Sequence, residues 1–173
     1  MKWKIFLLAA VTGLLTACSE TYQATDTGTI MVSRTAHNAF VTEYPAATNV
    51  VWGYYDPAVV IVNDWEMTGW TVLDAEDYAV RFNLDGEDYY AWYDSDGNWI
   101  GTAYVVRDYS RLPVMVNTSV RNLYPTYTIS SVNREFYADR AVYEITLKSD
   151  KTKVVLLVDD NGNVLKQKVK ADD

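Results

Sequence analysis

Two stretches of the chain carry an apolar residue at every second position, which is the pattern of a half-buried β-strand. The alternating apolar residues are Tyr78, Val80, Phe82 and Leu84 in the first stretch and Tyr143, Ile145 and Leu147 in the second. The first stretch runs into Asp85-Gly86, which is a strong signal for a two-residue hairpin turn. The pattern therefore predicts a hairpin that begins near residue 78 and a strand of the same kind near residue 143.

Two further stretches place apolar residues three and four positions apart, as on one face of an amphipathic helix. In residues 33–44 these are Ala36, Phe40 and Tyr44, and in residues 112–124 they are Val116, Val120, Leu123 and Tyr124. Each stretch runs into a Tyr-Pro pair, and the residue before a proline is biased away from the helical conformation. We therefore expect two short helices that end at these pairs, the second with Pro113 at its start.

These elements recur in the same order, which indicates an internal repeat. Tyr44-Pro45 recurs as Tyr124-Pro125, and the sequence Asp-Ser-Asp-Gly-Asn at residues 94–98 recurs as Asp-Asp-Asn-Gly-Asn at residues 159–163. Asp-x-x-Gly is typical of a type I turn followed by a glycine in the left-handed region. The recurrence predicts two units, each with a helix, several strands and a turn of this type.

The predicted fold is of the α+β class, a tandem repeat of helix plus antiparallel strands with the helices packed on one face of an antiparallel sheet. One domain would cover residues 31–170 and consist of two units, 31–106 and 107–170. One unit alone would bury too little surface to be stable, so we expect the two units to share one sheet. The first unit carries about fifteen extra residues between Trp52 and Tyr78, which we interpret as an additional hairpin.

The N-terminal residues have the pattern of an export signal. Lys2 and Lys4 precede an apolar run, Ile5 to Leu15, that is too short to span a bilayer as a helix. Leu15-Thr16-Ala17-Cys18 follows and resembles the lipobox of bacterial lipoproteins, in which the cysteine is acylated. We predict a signal peptide at residues 1–17, lipidation of Cys18 and a polar tether over residues 18–30. The predicted location is the cell envelope, anchored by lipid to the outer membrane and facing either the periplasm or the cell surface.

The chain is rich in amphipathic aromatic residues, with 14 Tyr and 6 Trp but only 4 Phe. Exposed Trp and Tyr are common hot spots of protein contacts, and the same rings can stack on sugars. One interpretation is an aromatic platform on the sheet face away from the helices, and the other is that these rings pack in the core. The candidate ligand-binding residues are Trp92, Trp99, Tyr90, Trp70 and Trp65.

Charge argues against nucleic acid as a partner. Without the first seventeen residues the chain has 13 basic and 23 acidic side chains, so phosphate backbones are repelled. We found no cluster of Lys or Arg in the sequence that would oppose this. We expect the partners to be a membrane, through the N-terminal lipid, and an envelope protein or peptide.

Catalytic and metal-binding motifs are poorly supported. Residues 94–98 place carboxylates as a calcium loop does, but their glycine is fourth rather than sixth, and Val105 stands where a bidentate Glu is required. His37 is the only histidine, which leaves no basis for a His-based zinc site or catalytic triad. We therefore expect no enzyme activity, no metal and no cofactor.

The ordered motifs resemble one known family. These are the Tyr-Pro helix ends, Ala91-Trp92-Tyr93-Asp94-x-x-Gly97-Asn98-Trp99, and a second copy ending in Asp159-x-x-Gly162-Asn163. Together they resemble the PepSY-like, beta-lactamase-inhibitor-like periplasmic lipoproteins common in Bacteroidetes, and the resemblance covers nearly all of residues 31–170. It implies a fold similar to beta-lactamase inhibitory protein, no catalytic residues, and the binding or inhibition of another protein. Two alternatives remain open at this point, namely a glycan-binding accessory lipoprotein and a small carboxylate-dependent hydrolase.

Overall fold

The computed structural model describes residues 21–23, 30–58, 69 and 72–171. The predicted signal peptide, Cys18, Trp65, Trp70 and most of the predicted extra hairpin lie outside these residues. Among the helices that the model describes, none is both long enough and apolar enough to cross a membrane.

The fold is dominated by a sheet. Two short strands, β1 (Thr21–Gln23) and β2 (Met31–Ser33), pair with each other and precede helix α1 (Arg34–Glu43). Strands β3 (Thr48–Tyr54), β4 (Tyr78–Leu84), β5 (Glu87–Tyr93) and β6 (Trp99–Val105) follow. After a 3-10 turn (Tyr109–Arg111) come helix α2 (Val114–Leu123) and strands β7 (Thr128–Tyr137), β8 (Arg140–Lys148), β9 (Thr152–Asp159) and β10 (Val164–Ala171). Strands β3 to β10 form one eight-stranded antiparallel sheet in chain order, with β3 and β10 at its edges.

Both predicted helices are confirmed, with small differences at their ends. Ser33 caps α1 by accepting a hydrogen bond from the Ala36 amide, and each helix ends before its Tyr-Pro pair. Pro113 is the residue before α2 rather than its first residue. The prediction that Leu123 belongs to the buried face of α2 is wrong, because its side chain is 54% exposed.

The first strand also departs from expectation. Residues 21–23 fall within the predicted polar tether, yet they pair in antiparallel register with residues 31–33, so that Thr21 lies opposite Ser33. Backbone hydrogen bonds to β2 hold this strand, and such bonds need no apolar side chains. The polar composition of the segment therefore gave no sign of the pairing.

Both predicted Asp-x-x-Gly turns are present. In each, the glycine amide donates to the aspartate carbonyl, Gly97 to Asp94 and Gly162 to Asp159. Both glycines have positive φ, 91° and 81°, and each lies against the first turns of a helix, Gly97 against α1 and Gly162 against α2. The two turns therefore fix the position of the two helices at the same end of the sheet.

Both helices cover the same face of the sheet. Directly opposed residues on adjacent strands point to the same face of a sheet. The pairs Tyr89–Tyr104, Tyr104–Arg134 and Arg134–Tyr143 connect the first half of the sheet to the second on one face. The core beneath α1 and the core beneath α2 therefore lie on one face, which we call the helix face. The buried members include Ala36, Phe40, Trp52, Val80, Phe82 and Tyr93 beneath α1, and Val116, Val120, Val132, Ile145, Leu147 and Leu156 beneath α2.

The opposite face, which we call the far face, is also largely buried in its middle. Val155 and Leu157 of β9 are covered there, and so are the carboxylates of Glu135 and Glu144 on the neighbouring strands β7 and β8. Gly69 lies close to the ends of the Lys166 side chain on β10 and the Arg140 side chain on β8.

Candidate functional site

A cleft of about 630 Å³ opens on the helix face, between α1 and the hairpin that joins β7 to β8. Its lining is mainly apolar and aromatic, which is the usual character of a ligand pocket. We call it the aromatic cleft, and its main lining residues are Ala39, Tyr44, Tyr89, Tyr93, Trp99, Phe136, Ala138 and Ala141. Three charged side chains also line it, Glu43, Asp139 and Arg140.

A chain of hydrogen bonds fixes one wall of the cleft. The Trp99 indole Nε1 donates to the Thr102 hydroxyl at 2.9 Å, and that hydroxyl shares a hydrogen bond of 2.6 Å with the Tyr44 hydroxyl. Thr102 is buried, so its hydroxyl needs partners within the protein. The threonine thereby holds the Trp99 ring from β6 and the Tyr44 ring from the end of α1 in fixed positions.

A row of aromatic rings forms the floor between the helices. Ring centroids are 5.4 Å apart between Phe82 and Tyr89, 4.4 Å between Tyr89 and Tyr104, and 6.3 Å between Tyr104 and Phe136. These residues come from four successive strands, and the cross-strand register brings them together. The sheet therefore supplies a rigid, apolar surface that loops alone would not provide.

Arg134 closes this row on the α2 side. Its guanidinium carbon lies 4.2 Å from the Tyr143 ring centroid and 5.3 Å from that of Phe136, within the range of cation–π contacts. The same guanidinium forms a bidentate ion pair with the Asp160 carboxylate, with Nη2 2.9 Å from Oδ2 and Nη1 2.9 Å from Oδ1. The Asp160 carboxylate therefore fixes the Arg134 side chain, which packs against the Phe136 end of the ring row.

The tyrosines of the cleft remain neutral at physiological pH. Burial raises the pKa of Tyr89 to about 12, and it also raises the pKa values of Tyr44 and Tyr93 above the ordinary value for tyrosine. A phenol with a raised pKa is a poor nucleophile and a poor base. These rings offer apolar faces and neutral hydroxyls, which suit binding rather than proton transfer.

The structure separates the predicted platform residues. Trp92 is only 3% exposed and packs with Ile100 and Ala103 on the far face, where Tyr90 lies half-buried beside it. Trp99 is 36% exposed and lines the aromatic cleft on the helix face. Trp92 and Trp99 therefore do not share one face, and Trp65 and Trp70 lie outside the described residues.

A β-bulge is the reason for this separation. Trp92 pairs with Gly101, but the next residue, Tyr93, pairs with Trp99, so the register shifts by one residue between them. A shift of one residue moves a side chain to the other face of the sheet. Without the bulge, regular alternation would have placed Trp99 on the same face as Trp92.

The turn aspartates act on the backbone. Asp94 accepts hydrogen bonds from the amide and the side chain of Asn98, and Asp159 accepts the equivalent bonds from Asn163. The hydrogen bonds from Asn163 lower the pKa of Asp159. The carboxylates of Asp94 and Asp159 are therefore occupied in shaping the two turns.

His37, the histidine considered in the sequence analysis, lies half-buried on α1.

Several residues of the site were not singled out from the sequence. Tyr44 was assigned only to the buried face of α1, and Thr102, Tyr89 and Phe136 carried no motif. Pairing residues across the predicted Asp85-Gly86 hairpin would have found the first contact of the ring row, because Tyr89 and Phe82 are directly opposite. Contacts between β6 and β7 depend on a connection that contains α2 and could not be obtained in this way.

Comparisons with known proteins give one family and one fold. The family model described as "Putative beta-lactamase-inhibitor-like, PepSY-like" matches residues 76–166. A BLIP-like protein from Bacteroides fragilis has a similar structure, with a TM-score of 0.64, 21% identity, and coverage of 82% of this chain and 88% of that one. A comparison with curated proteins finds no match.

Two further solved structures agree. A DUF2874 family protein from Bacteroides ovatus has a TM-score of 0.61 and 19% identity, covering 79% of this chain and 86% of that one. A protein described as one of the "putative periplasmic proteins" from Bacteroides eggerthii has a TM-score of 0.59 and 16% identity, with 79% and 87% coverage. At these identities the likeness is one of fold.

Proposed function

Because the chain belongs to the PepSY-like, beta-lactamase-inhibitor-like family, we propose that it is a non-catalytic, inhibitor-like binding module of the cell envelope whose ligand is a protein or peptide. The observation that carries the proposal is the aromatic cleft. One wall is fixed by the hydrogen bonds through Thr102, and Tyr89 and Phe136 of the ring row line the cleft. Such a preorganised apolar pocket loses little conformational entropy when a ligand enters.

The cleft fits an apolar side chain that a partner inserts. Its volume of about 630 Å³ lies within the range of small-ligand pockets, so it has room for several side chains of a partner segment. Glu43, Asp139 and Arg140 provide charges of both signs for the polar groups beside such an anchor. Interfaces commonly combine a buried aromatic anchor with a polar rim of this kind.

A location in the cell envelope is part of the same proposal. The lipobox-like sequence that ends at Cys18 supports anchoring by lipid on the outer membrane, and one structural neighbour is described as periplasmic. Acylation of Cys18 would keep the module close to partners in the same compartment. Mass spectrometry of the protein purified from membranes tests this point, with Cys18→Ala as the unmodified control.

We also propose that the domain arose from two copies of one helix-plus-strands unit. The support is local: both Asp-x-x-Gly turns have the same hydrogen bonds, and both glycines lie against a helix. The two halves share one continuous sheet, in which the strands outnumber the helices.

Site-specific photo-crosslinking in the producing bacterium tests the binding role. A photoreactive amino acid at Ala39 or Ala141, both in the cleft, should give an adduct of discrete mass with an envelope protein or peptide. The adduct should disappear when Trp99→Ala is added. The matched control position is Val114, which is 79% exposed on α2 and outside the cleft.

Two results would contradict the proposal. The first is the same set of adducts from Val114 as from the cleft positions, and the second is no adduct from either cleft position in cells that contain the folded protein. Titration of the purified protein with a glycan panel addresses the glycan-binding alternative. A titration in which a glycan binds and Trp99→Ala abolishes the binding would favour that alternative instead.

A further inference from the structure

The aromatic cleft continues into a second cavity at the end of the sheet. The two cavities share Trp99 and Ala138 in their linings. The second cavity has a volume of about 460 Å³, and the described residues that line it include no lysine or arginine. We call it the acidic cavity, because its lining contains the carboxylates of Asp74, Asp77, Asp94 and Asp96. A ligand in the aromatic cleft therefore has carboxylates directly beyond the Trp99 ring.

A third cavity continues the cleft in the other direction. Tyr89 lines both the aromatic cleft and this third cavity, which has a volume of about 240 Å³. The charged side chains of the third cavity are Asp85, Glu87 and Arg111, and the Arg111 guanidinium pairs with the Glu87 carboxylate at 3.1 Å. Asp85 therefore gives this end of the cleft a surplus of negative charge.

Strand β6 supplies a floor that connects the cleft with the third cavity. Trp99 and Thr102 line the cleft, while Tyr104 and Val106, just beyond the strand, line the third cavity. A strand rises about 3.3 Å per residue, so the two ends of this floor are roughly 20 Å apart. We call the floor and the three cavities together the β6 groove. A partner segment in an extended conformation has the same rise per residue, so about six of its residues would follow the floor.

Negative charge dominates the β6 groove. Among the described residues that line it, eight side chains are carboxylates and two are guanidinium groups. Asp74 and Asp94 accept hydrogen bonds from backbone amides, which satisfy some of their oxygens and leave the charge in place. A cleft lined by one sign of charge concentrates ligands of the opposite sign. The groove therefore disfavours acidic segments and favours basic ones.

We propose that the β6 groove binds an extended, basic segment of a partner protein. An aromatic or large aliphatic side chain of that segment enters the aromatic cleft. Lysine or arginine side chains on either side of it face the acidic cavity at one end and Asp85 at the other. The carboxylates determine which segments are accepted, because electrostatic complementarity contributes mainly to specificity and to the rate of association. This inference rests on the proposed function, since it names the kind of segment that the cleft accepts.

Two other occupants match the groove less well. A second copy of this chain is itself acidic, with 13 basic against 23 acidic side chains after residue 17, so the two copies repel each other. A neutral glycan could stack on the Trp99 ring, but it would bring no charge to the carboxylates. A basic segment with an apolar anchor satisfies the cleft and both charged ends together.

Fluorescence anisotropy with labelled peptides tests the proposal, using the full-length protein purified from membranes in a non-ionic detergent. The probe is the capped peptide Lys-Lys-Ala-Phe-Ala-Lys-Lys, which spans the groove floor and carries one apolar anchor. We expect binding that weakens as salt is added. A peptide with Glu in place of every Lys should not bind. A peptide with Ala in place of Phe should bind about tenfold more weakly or worse, because it lacks the anchor.

Three matched substitutions locate the peptide on the protein. Asp139→Asn in the aromatic cleft and Asp85→Asn in the third cavity each remove one negative charge, and each should weaken binding about threefold or more at low salt. The control, Asp150→Asn, removes the same charge from an exposed position outside the groove and should leave the affinity nearly unchanged. Asparagine tolerates the positive φ of Asp85, 52°, and urea unfolding checks that each variant is folded.

The outcomes separate this inference from the proposed function. Absence of binding by the basic peptide, equal binding of the acidic peptide, or equal affinity of the Asp85→Asn variant and the native protein would overturn the inference. Crosslinks from Ala39 and Ala141 that persist in that case would still support a binding role for the cleft. Self-association of the purified protein that Asp139→Asn weakens would also overturn the inference, because it would assign the groove to a second copy.

The partner segment captured in the bacterium gives a second test. Tandem mass spectrometry of the adduct formed at Ala141 identifies the crosslinked residue of the partner and the sequence around it. We expect lysine or arginine on both sides of that residue. An acidic or uncharged sequence there would overturn the inference and leave the proposed function in place.

Discussion

Gly97 occupies a space beside the amide nitrogen of Ala36 that only hydrogen can fill. A Cβ atom on Gly97 would lie 2.5 Å from that nitrogen and 2.8 Å from Cβ of Thr35. At the other turn, a Cβ atom on Gly162 would lie 2.5 Å from the Met115 carbonyl oxygen. Each helix is therefore docked by direct contact between its own backbone and a turn glycine.

Gly97→Ala should lower the free energy of unfolding by more than positive φ alone explains. Alanine in the left-handed region costs about 1–2 kcal/mol, and the overlap with α1 should add about 1–3 kcal/mol. The control is Gly86→Ala, because Gly86 has a φ of 82° but nothing within 4 Å of the new Cβ. Urea unfolding measures both variants, and equal losses would show that contact with the helix carries no weight.

Trp92→Ala and Trp99→Ala should differ in their effects on stability and on crosslinking. Trp92 is buried on the far face, so its removal should cost about 3–5 kcal/mol of unfolding free energy, as for other large core residues. Trp99 is partly exposed, so its removal should cost less and should abolish the crosslinks from the cleft. Chemical denaturation together with crosslinking measures both effects. A larger stability loss at Trp99 than at Trp92 would mean that the assignment of the two faces is wrong.

Removal of the Thr102 hydroxyl should lower the free energy of unfolding more than removal of the Tyr44 hydroxyl. Tyr44→Phe removes one hydrogen bond at an expected cost of about 1 kcal/mol. Thr102→Val leaves both the Tyr44 hydroxyl and the Trp99 indole without this partner, so its cost should be larger, about 1–3 kcal/mol. A double-mutant cycle measured by urea unfolding checks the coupling. Strictly additive losses would show that the two side chains act independently.

Glu135 should make stability fall as pH rises. Burial, with a smaller contribution from the Glu144 carboxylate, raises the pKa of Glu135 to about 9 in the folded protein. The folded state therefore holds a proton that the unfolded state releases above about pH 4.5, so this contribution is complete at low pH and is lost as pH rises towards 9. Within the described residues, neither carboxylate oxygen of Glu135 has a hydrogen-bond partner, which adds to the cost of ionising it.

Glu135→Gln should remove this dependence. Compared with the native protein, the variant should gain stability between pH 6 and pH 9 and should show a flatter stability profile over that range. Urea unfolding at several pH values gives the comparison. Glu76→Gln is the control, because Glu76 is exposed and should leave the native slope in place. Parallel profiles for the native protein and Glu135→Gln would contradict the assignment.

The sequence predicted those features that depend on neighbours along the chain. The helix over residues 34–43, the Asp85-Gly86 turn and the alternation from Tyr78 to Leu84 follow from period, capping and turn chemistry. The side of the sheet taken by Trp99 could not be predicted, because one extra residue in a bulge reverses it. The same holds for Lys148, Lys153 and Lys170, which become neighbours only through strand register.

The aromatic cleft could be predicted from the sequence only in part. Phe82 and Tyr89 could be paired across a predicted hairpin, but the contact of Tyr104 with Phe136 depends on how β6 meets β7. Those strands are separated in the chain by α2, and nothing in their composition fixes their register. Functional surfaces that assemble across such a junction require the three-dimensional structure.

The order of strands in the sheet also bears on how the protein assembles. Among the strands that the structure describes, each from β3 to β10 pairs with the strand before or after it in the chain, and most of these neighbours are joined by short turns. Contacts of this local kind favour rapid folding. The β6–β7 junction has only four register pairs against nine between β7 and β8. The β6–β7 junction is therefore the shortest pairing in the described sheet, so we expect the strands before it and the strands after it to form two groups that join there last as the protein folds.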